Sequence, residues 1–188
     1  QKGMYCLVFG DILMRCIYAT RPYEAVPGST NELHKKWVQK ITDFVSTDKL
    51  VSHKKYKQYC REMVHDFDVL PRLDIQKPKV GIVGEILVKF MPMANNYLAD
   101  LLESEGAEAV IPDLLDFLYC FYNNNFKTDV LGFKKSTKTK SNLGIWAIEK
   151  LRGVAHKALE ESTHFTPPAN IYETAKNAES IVSHGNQT

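Results

Sequence analysis

Apolar residues crowd positions 4–20 almost all round, and Asp11 and Arg15, one helical turn apart, are the only charges there. That pattern predicts a buried helix with an intrahelical ion pair. Residues 5–9 alone also read as a strand, because periodicity does not separate the two in short apolar runs. Pro22 pushes Arg21 out of the α region and ends the element. Pro27-Gly28 marks a turn, and Ser29-x-x-Glu32 has the form of a capping box. Behind it, Leu33, Trp37, Ile41, Phe44 and Val45 make one apolar stripe, which predicts a helix over 30–46. A second amphipathic helix is expected over 52–67. Tyr56, Cys60, Met63, Val64 and Phe67 form its apolar face, and His53, Lys54, Lys55, Lys57 and Arg61 its basic one.

Pro71 and Pro78 bracket a linker, and the pattern then changes. Val80-Gly81-Ile82-Val83-Gly84 is a continuous apolar run, as in a strand buried on both faces of a parallel sheet. Pro92 falls near the start of the next helix. Tyr97, Leu98, Leu101 and Leu102 read as that helix's buried face, and Gly106 as its C-terminal cap. Ala109-Val110-Ile111 is the second strand, stopped by Pro112, and Asp113 can cap a short helix over 114–121. Asn123-Asn124-Asn125 breaks the pattern, and 134–140 reads as a polar, basic loop. Leu143, Trp146, Leu151, Val154 and Leu159 predict a long helix closed by Pro167-Pro168, with a polar helix over about 170–182 to finish.

The organisation expected is a helical segment over 1–76, a Rossmann-like βαβ core over 77–126, and a basic loop with C-terminal helices over 127–188. Together they make one compact α/β domain with a small parallel sheet, helix-rich overall. A doubly wound sheet carries more strands than one βαβ unit supplies. The chain also opens Gln-Lys-Gly without an initiator methionine. Both features read as a piece of a longer protein.

Composition narrows the function classes. Apolar content of 44% and charged content of 24% are those of a soluble globular domain. A net charge of +2 lacks the basic footprint of a nucleic-acid binder, and the run over 134–140 has no interleaved aromatics. With no apolar run near 18 residues and no basic leader, neither a membrane partner nor a signal peptide is expected. Cys6, Cys16, Cys60 and Cys120 are widely spaced with no CxxC pair, which predicts buried, reduced thiols in a cytoplasmic protein.

The chemistry-bearing residues are sparse. The histidines lack metal-ligand spacing, and no Ser, Cys or His shows a catalytic arrangement, so no catalytic residue is assigned. Gly81-x-x-Gly84 is not a dinucleotide fingerprint, and no GK[ST] follows. The candidate ligand site is the loop after the first strand, where open α/β sheets bind. It comprises Glu85, Asn95 and Asn96, with Lys89 nearby, and capping or loop hydrogen bonding is the competing role for them. Arg21 and Glu24, flanking Pro22-Tyr23, either clamp an anion or pair with loop backbone and each other.

Three stretches, GDILMRCIYATRPYE (10–24), VGIVGEILVKFMPMANN (80–96) and LLESEGAEAVIPDLLDF (101–117), with the Tyr119-Cys120 that follows, resemble the acyl-CoA dehydratase activase-related proteins. These group with the D-component-like subunits of 2-hydroxyglutaryl-CoA dehydratase. The resemblance implies a large cytoplasmic parent of anaerobic metabolism. In such proteins ATP hydrolysis drives a low-potential electron into a 4Fe-4S iron-sulfur cluster used for 2-hydroxyacyl-CoA dehydration. It implies that this chain is a non-catalytic α/β domain of an activator/dehydratase-like protein. The domain would form an iron-sulfur or acyl-CoA site with other segments, its partners being the remaining domains of the parent and dehydratase subunits. Cluster and ATP would belong to the parent, with no metal site in this segment. Where dehydratase subunits have a cysteine after the equivalent strand, this chain has Glu85, and Cys120 stays open as a cluster ligand. Two other readings stand beside it. One is a module binding CoA or a nucleotide phosphate through Lys54, Lys55 and Lys89. The other is a helical interaction domain held by Trp37 and Trp146.

Overall fold

The computed structural model describes residues 2–46, 52–118 and 135–178, with the single positions 128, 132 and 181. Helix α1, Lys2–Thr20, runs through the middle of the molecule. It packs on α2 (Ser29–Ser46), α3 (His53–Asp68) and α6 (Lys135–Glu160), and on its remaining side against the sheet. Neighbours on several sides explain why its sequence is apolar nearly all round. The segment Lys2–Tyr23, with mean hydropathy 1.2, is long and apolar enough to cross a membrane by length and composition. This corrects the expectation that no apolar run reaches that length; the buried side of the segment packs into the helical core.

Aromatic side chains knit the helical layer. Tyr5 stacks on Tyr56 with ring centres 4.1 Å apart, and Phe9 meets both Phe44 and Tyr56. Trp37 is buried, and its indole N–H donates to Asp66 at 3.0 Å, so this polar handle is satisfied. The Tyr56 hydroxyl donates to the Leu151 carbonyl at 2.9 Å, tying α3 to α6. Trp37 therefore works inside the fold rather than between subunits, whereas Trp146 is exposed.

The sheet has two parallel strands, β1 (Lys79–Gly81) and β2 (Glu108–Val110), paired in the register Lys79↔Glu108, Val80↔Ala109, Gly81↔Val110. Two short helices, α4 (Ile86–Phe90) and α5 (Leu98–Ser104), make the connection. Ile82, Ala99, Ala109 and Ile111 form a second small core, with Met14 and Tyr18 of α1 packed against it. Gly106, at φ 88°, closes α5 as expected, its N–H donating to the Glu103 carbonyl at 3.0 Å. The fold is thus helix-rich with a two-stranded parallel sheet, and two strands alone do not establish a Rossmann-like core.

Several expectations need correction. β1 is exposed along its length rather than buried on both faces, because among the described residues nothing lies beyond it. α5 turns Ala99 inward with Leu98 and Leu102, which leaves Tyr97 and Leu101 more than half exposed. Residues 135–140, expected as a loop, are the first turns of α6. Lys135 and Lys140 are exposed, and the segment holds no Gly or Pro, so the helix runs through it. The short helix after Asp113 is a 3-10 turn, Leu114–Leu118, and the last described helix is α7, Ile171–Ala178. Asn123, Asn124, Asn125 and Cys120 lie outside the described residues.

Candidate functional site at the carboxyl end of the strands

The loop after β1 is built by its own polar side chains. Glu85 is the N-cap of α4, and its Oε2 accepts from the amides of Leu87 at 2.8 Å and Val88 at 3.0 Å. A helix N-terminus attracts anions through such free amides. Here the chain's own carboxylate occupies them, leaving no phosphate cradle at Gly81-x-x-Gly84. Asn95 Nδ2 donates to the carbonyls of Val88 (3.0 Å) and Lys89 (3.3 Å), while its Oδ1 accepts from the Leu98 amide at 3.2 Å. One side chain thereby joins the end of α4 to the start of α5. Asn96 and Tyr97 both sit at φ 55° in the left-handed region. Such a conformation costs a β-carbon-bearing residue on the order of 1–2 kcal/mol each, and Asn95 holds the segment in it.

Lys89 and Asn95 line a small cavity of about 50 Å³ with Met14, Tyr18, Phe90 and Asp100. The Lys89 ammonium lies 4.7 Å from the Phe90 ring centre. Ligand pockets generally need at least about 300 Å³, so this cavity takes a water or a small group and not a nucleotide. Arg21 reaches the same neighbourhood from the end of α1. Its Nε and Nη2 fork onto Glu103 at 2.6 and 3.1 Å, and Nη2 also meets Asp100 at 2.8 Å. It therefore fastens α5 to α1 by a bidentate ion pair. Glu24 is elsewhere. Its carboxylate accepts from the amides of Gly28 (2.7 Å) and Thr30 (3.0 Å), which caps α2. Burial pulls its pKa upward, but those amides outweigh it and hold the group below the usual carboxylate range. Of the six sequence candidates, the structure gathers Lys89, Asn95 and Asn96 at one loop with Arg21 one ion pair away. It sets Glu85 at the exposed start of α4 and Glu24 ahead of α2, as its cap.

Comparison with protein-family models, curated proteins and solved structures finds no match to this chain. The fit of an iron-sulfur cluster can nevertheless be tested on the residues themselves. Cys16 and Cys60 are buried in α1 and α3, and burial pushes the Cys60 thiol up to about 12 and the Cys16 thiol higher still. Cluster ligation needs thiolates. Among the described residues no three His, Cys, Asp or Glu side chains converge on one point. The described residues do not fit a cluster.

Sequence reasoning missed the most elaborate polar cluster. Asp11 does not pair with Arg15. Its two carboxylate oxygens accept from the amides of Leu114 at 2.7 Å and Leu115 at 3.0 Å, capping a turn about a hundred residues away. Arg15 instead meets Asp113 at 2.6 Å, and buried Arg152 binds Asp113, Asp116 and Glu149 at 3.2, 2.8 and 3.2 Å. Burial, then Asp113, raise the Asp11 carboxyl to about 7 against the pull of those amides and Arg152. The visible signal was two charges on an otherwise apolar helix; their partners were not visible.

Proposed function

We propose that the chain is a non-catalytic, cytoplasmic α/β domain of an activator/dehydratase-like protein of 2-hydroxyacyl-CoA dehydration. In this reading it lends a half-built sheet and one wall of an acyl-CoA site to a larger assembly, with any cluster held by other segments. The observation that carries it is the naked parallel pair. Parallel sheets are covered on both faces, and an isolated two-stranded sheet is marginal in water. Yet β1 is exposed throughout, and Val83, Leu87 and Met93 beyond it stand 81%, 67% and 76% exposed. An open edge beside apolar side chains is a surface prepared for another segment.

The stretches that carry the family resemblance also support the reading, because they are bonded to one another. Residues 80–96 and 101–117 build the strand pair and its connection. Residues 10–24 grip them through Asp11, Arg15 and Arg21. Those contacts make the three stretches one scaffold.

The test is a photo-crosslinking residue placed at Val83 or Leu87 in the protein expressed from its native gene. The expected product joins that position to another segment of the same polypeptide or to a dehydratase subunit, while position 57 on the far face of α3 stays unlinked. Native protein that gives no link at 83 or 87 refutes the proposal.

A further inference from the structure

A cavity of about 550 Å³ opens at the opposite, amino end of the strand pair, where Lys79 and Glu108 begin β1 and β2. Tyr23, Arg72, Lys77, Lys79, Glu108 and His164 wall it. Arg72 is fixed there. Its guanidinium carbon lies 5.2 Å from the Tyr23 ring centre and 5.9 Å from that of Phe165, and Nη2 donates to the Ala19 carbonyl. Its backbone pairs antiparallel with Glu24, and the Leu73 amide donates to the Tyr23 carbonyl at 2.7 Å. No carboxylate pairs with it among the described residues, and its Nη1 is buried with no acceptor. Lys77, half-buried on the same wall, forms no ion pair within 4 Å among the described residues and acts on Glu103 only through its charge.

The acids near this wall act on those charges from a distance, and their bonds go elsewhere. Glu108 is committed to the Tyr23 hydroxyl at 2.8 Å and the Lys79 ammonium at 3.2 Å, His164 binds Asp68 at 2.8 Å, and Asp74 is exposed. Asp68 and Glu108 act on this half-buried guanidinium through their charge without bonding to it, and burial outweighs them and pushes the Arg72 pKa down. With Nη2 held by the Ala19 carbonyl, the guanidinium offers its charge and its remaining N–H donors to a carboxylate or phosphate. The cavity also continues. A second space of about 190 Å³ shares Ala19, Lys79, Glu108 and His164 with it and runs on past Met14, Tyr18, Ile111 and Phe165.

We infer that this trough binds a small amphipathic anion, with its carboxylate or phosphate head on Arg72 and Lys77 and a short apolar tail along Met14, Tyr18 and Phe165. The head-group site stands whether or not the sheet edge docks another segment, because Arg72 and Lys77 lie at the other end of the strands. The experiment uses the full 188-residue chain, arginine-labelled for NMR. Inorganic phosphate, acetate and hexanoate are titrated while the Arg72 Nε–Hε resonance is followed. A saturable shift is expected, with hexanoate at least about tenfold tighter than acetate, since a fully buried methylene is worth roughly fourfold. Phosphate binding more tightly than acetate assigns the head to a phosphate ester, and the reverse to a carboxylate. Lys77→Gln, away from the core, weakens all three probes by roughly three- to tenfold; Arg72→Lys, which keeps the charge and loses the fork, weakens them further. Absence of a saturable shift at tens of millimolar, equal affinity for acetate and hexanoate, or an unchanged affinity in Lys77→Gln each overturns the inference.

Discussion

Replacing Arg152 by Met removes the central cation of the polar cluster while keeping most of its side-chain volume. Arg152 is 2% exposed and holds three carboxylates, of which Asp113 is itself buried. Removing one partner of a buried pair typically costs about 3–5 kcal/mol, because the other charge stays desolvated. Two features pull the figure to the lower end. Asp113 keeps Arg15 at 2.6 Å, and Asp116 is open enough to rehydrate. We expect a loss of about 3 kcal/mol, which for a chain of this size lowers the melting temperature by roughly 6–12 °C. Urea denaturation measures the free energy, and Lys40→Met provides the comparison. Lys40 and Glu62 pair at 2.8 Å but are both more than a third exposed, so that change costs under about 1 kcal/mol. Adding Asp113→Asn to Arg152→Met should cost less than it does in the wild type, since the stranded carboxylate is then gone. If Arg152→Met costs no more than Lys40→Met, the cluster does not hold α6 to α1 and the reasoning fails.

Two residues at one small cavity set opposing pH dependences. Asp11 has a folded pKa of about 7 against 3.8 unfolded, so its stabilisation is present below about pH 4 and lost as pH rises through 7. His156, pushed down to about 4 from 6.5 by burial and then Arg152, contributes above about pH 6.5 and loses that contribution as pH falls to 4. Acidification over this window should therefore destabilise Asp11→Asn relative to the wild type and stabilise His156→Gln relative to it, read as urea midpoints; parallel profiles for all three proteins contradict this. At the start of α2, Glu24→Ala should cost about 1–2 kcal/mol and Ser29→Ala under about 0.5, because Glu24 and not the Ser29/Glu32 box holds the first amides. Equal losses in thermal melts would return the cap to Ser29.

Much of the scaffold was legible because it rests on local periodicity. The stripe through Leu33, Trp37 and Ile41, the one through Tyr56, Met63 and Phe67, and the turns at Gly28 and Gly106 involve residues within a few positions of one another. The parallel strand pair followed from two continuous apolar runs joined by helical sequence. The candidate loop was found by the rule for open α/β sheets. Its residues proved to be bonded to the loop itself, as with Glu85 on α4 and Asn95 between α4 and α5. An Asn or Glu near a helix start is equally suited to a cap and to a ligand, and its sequence neighbours do not separate the two.

From the amino-acid order alone come the helical character of α1, α2, α3 and most of α6, the two short strands and their direction. Each is set by side-chain period and by turn residues acting over one or two turns. The tertiary structure alone decided which charges meet: Asp11 with the Leu114 and Leu115 amides, and Arg15 and Arg152 with Asp113. It also decided that β1 stands uncovered. Burial fixes those outcomes, because a desolvated charge takes whichever partner the packing brings to it, and that partner can lie a hundred residues along the chain.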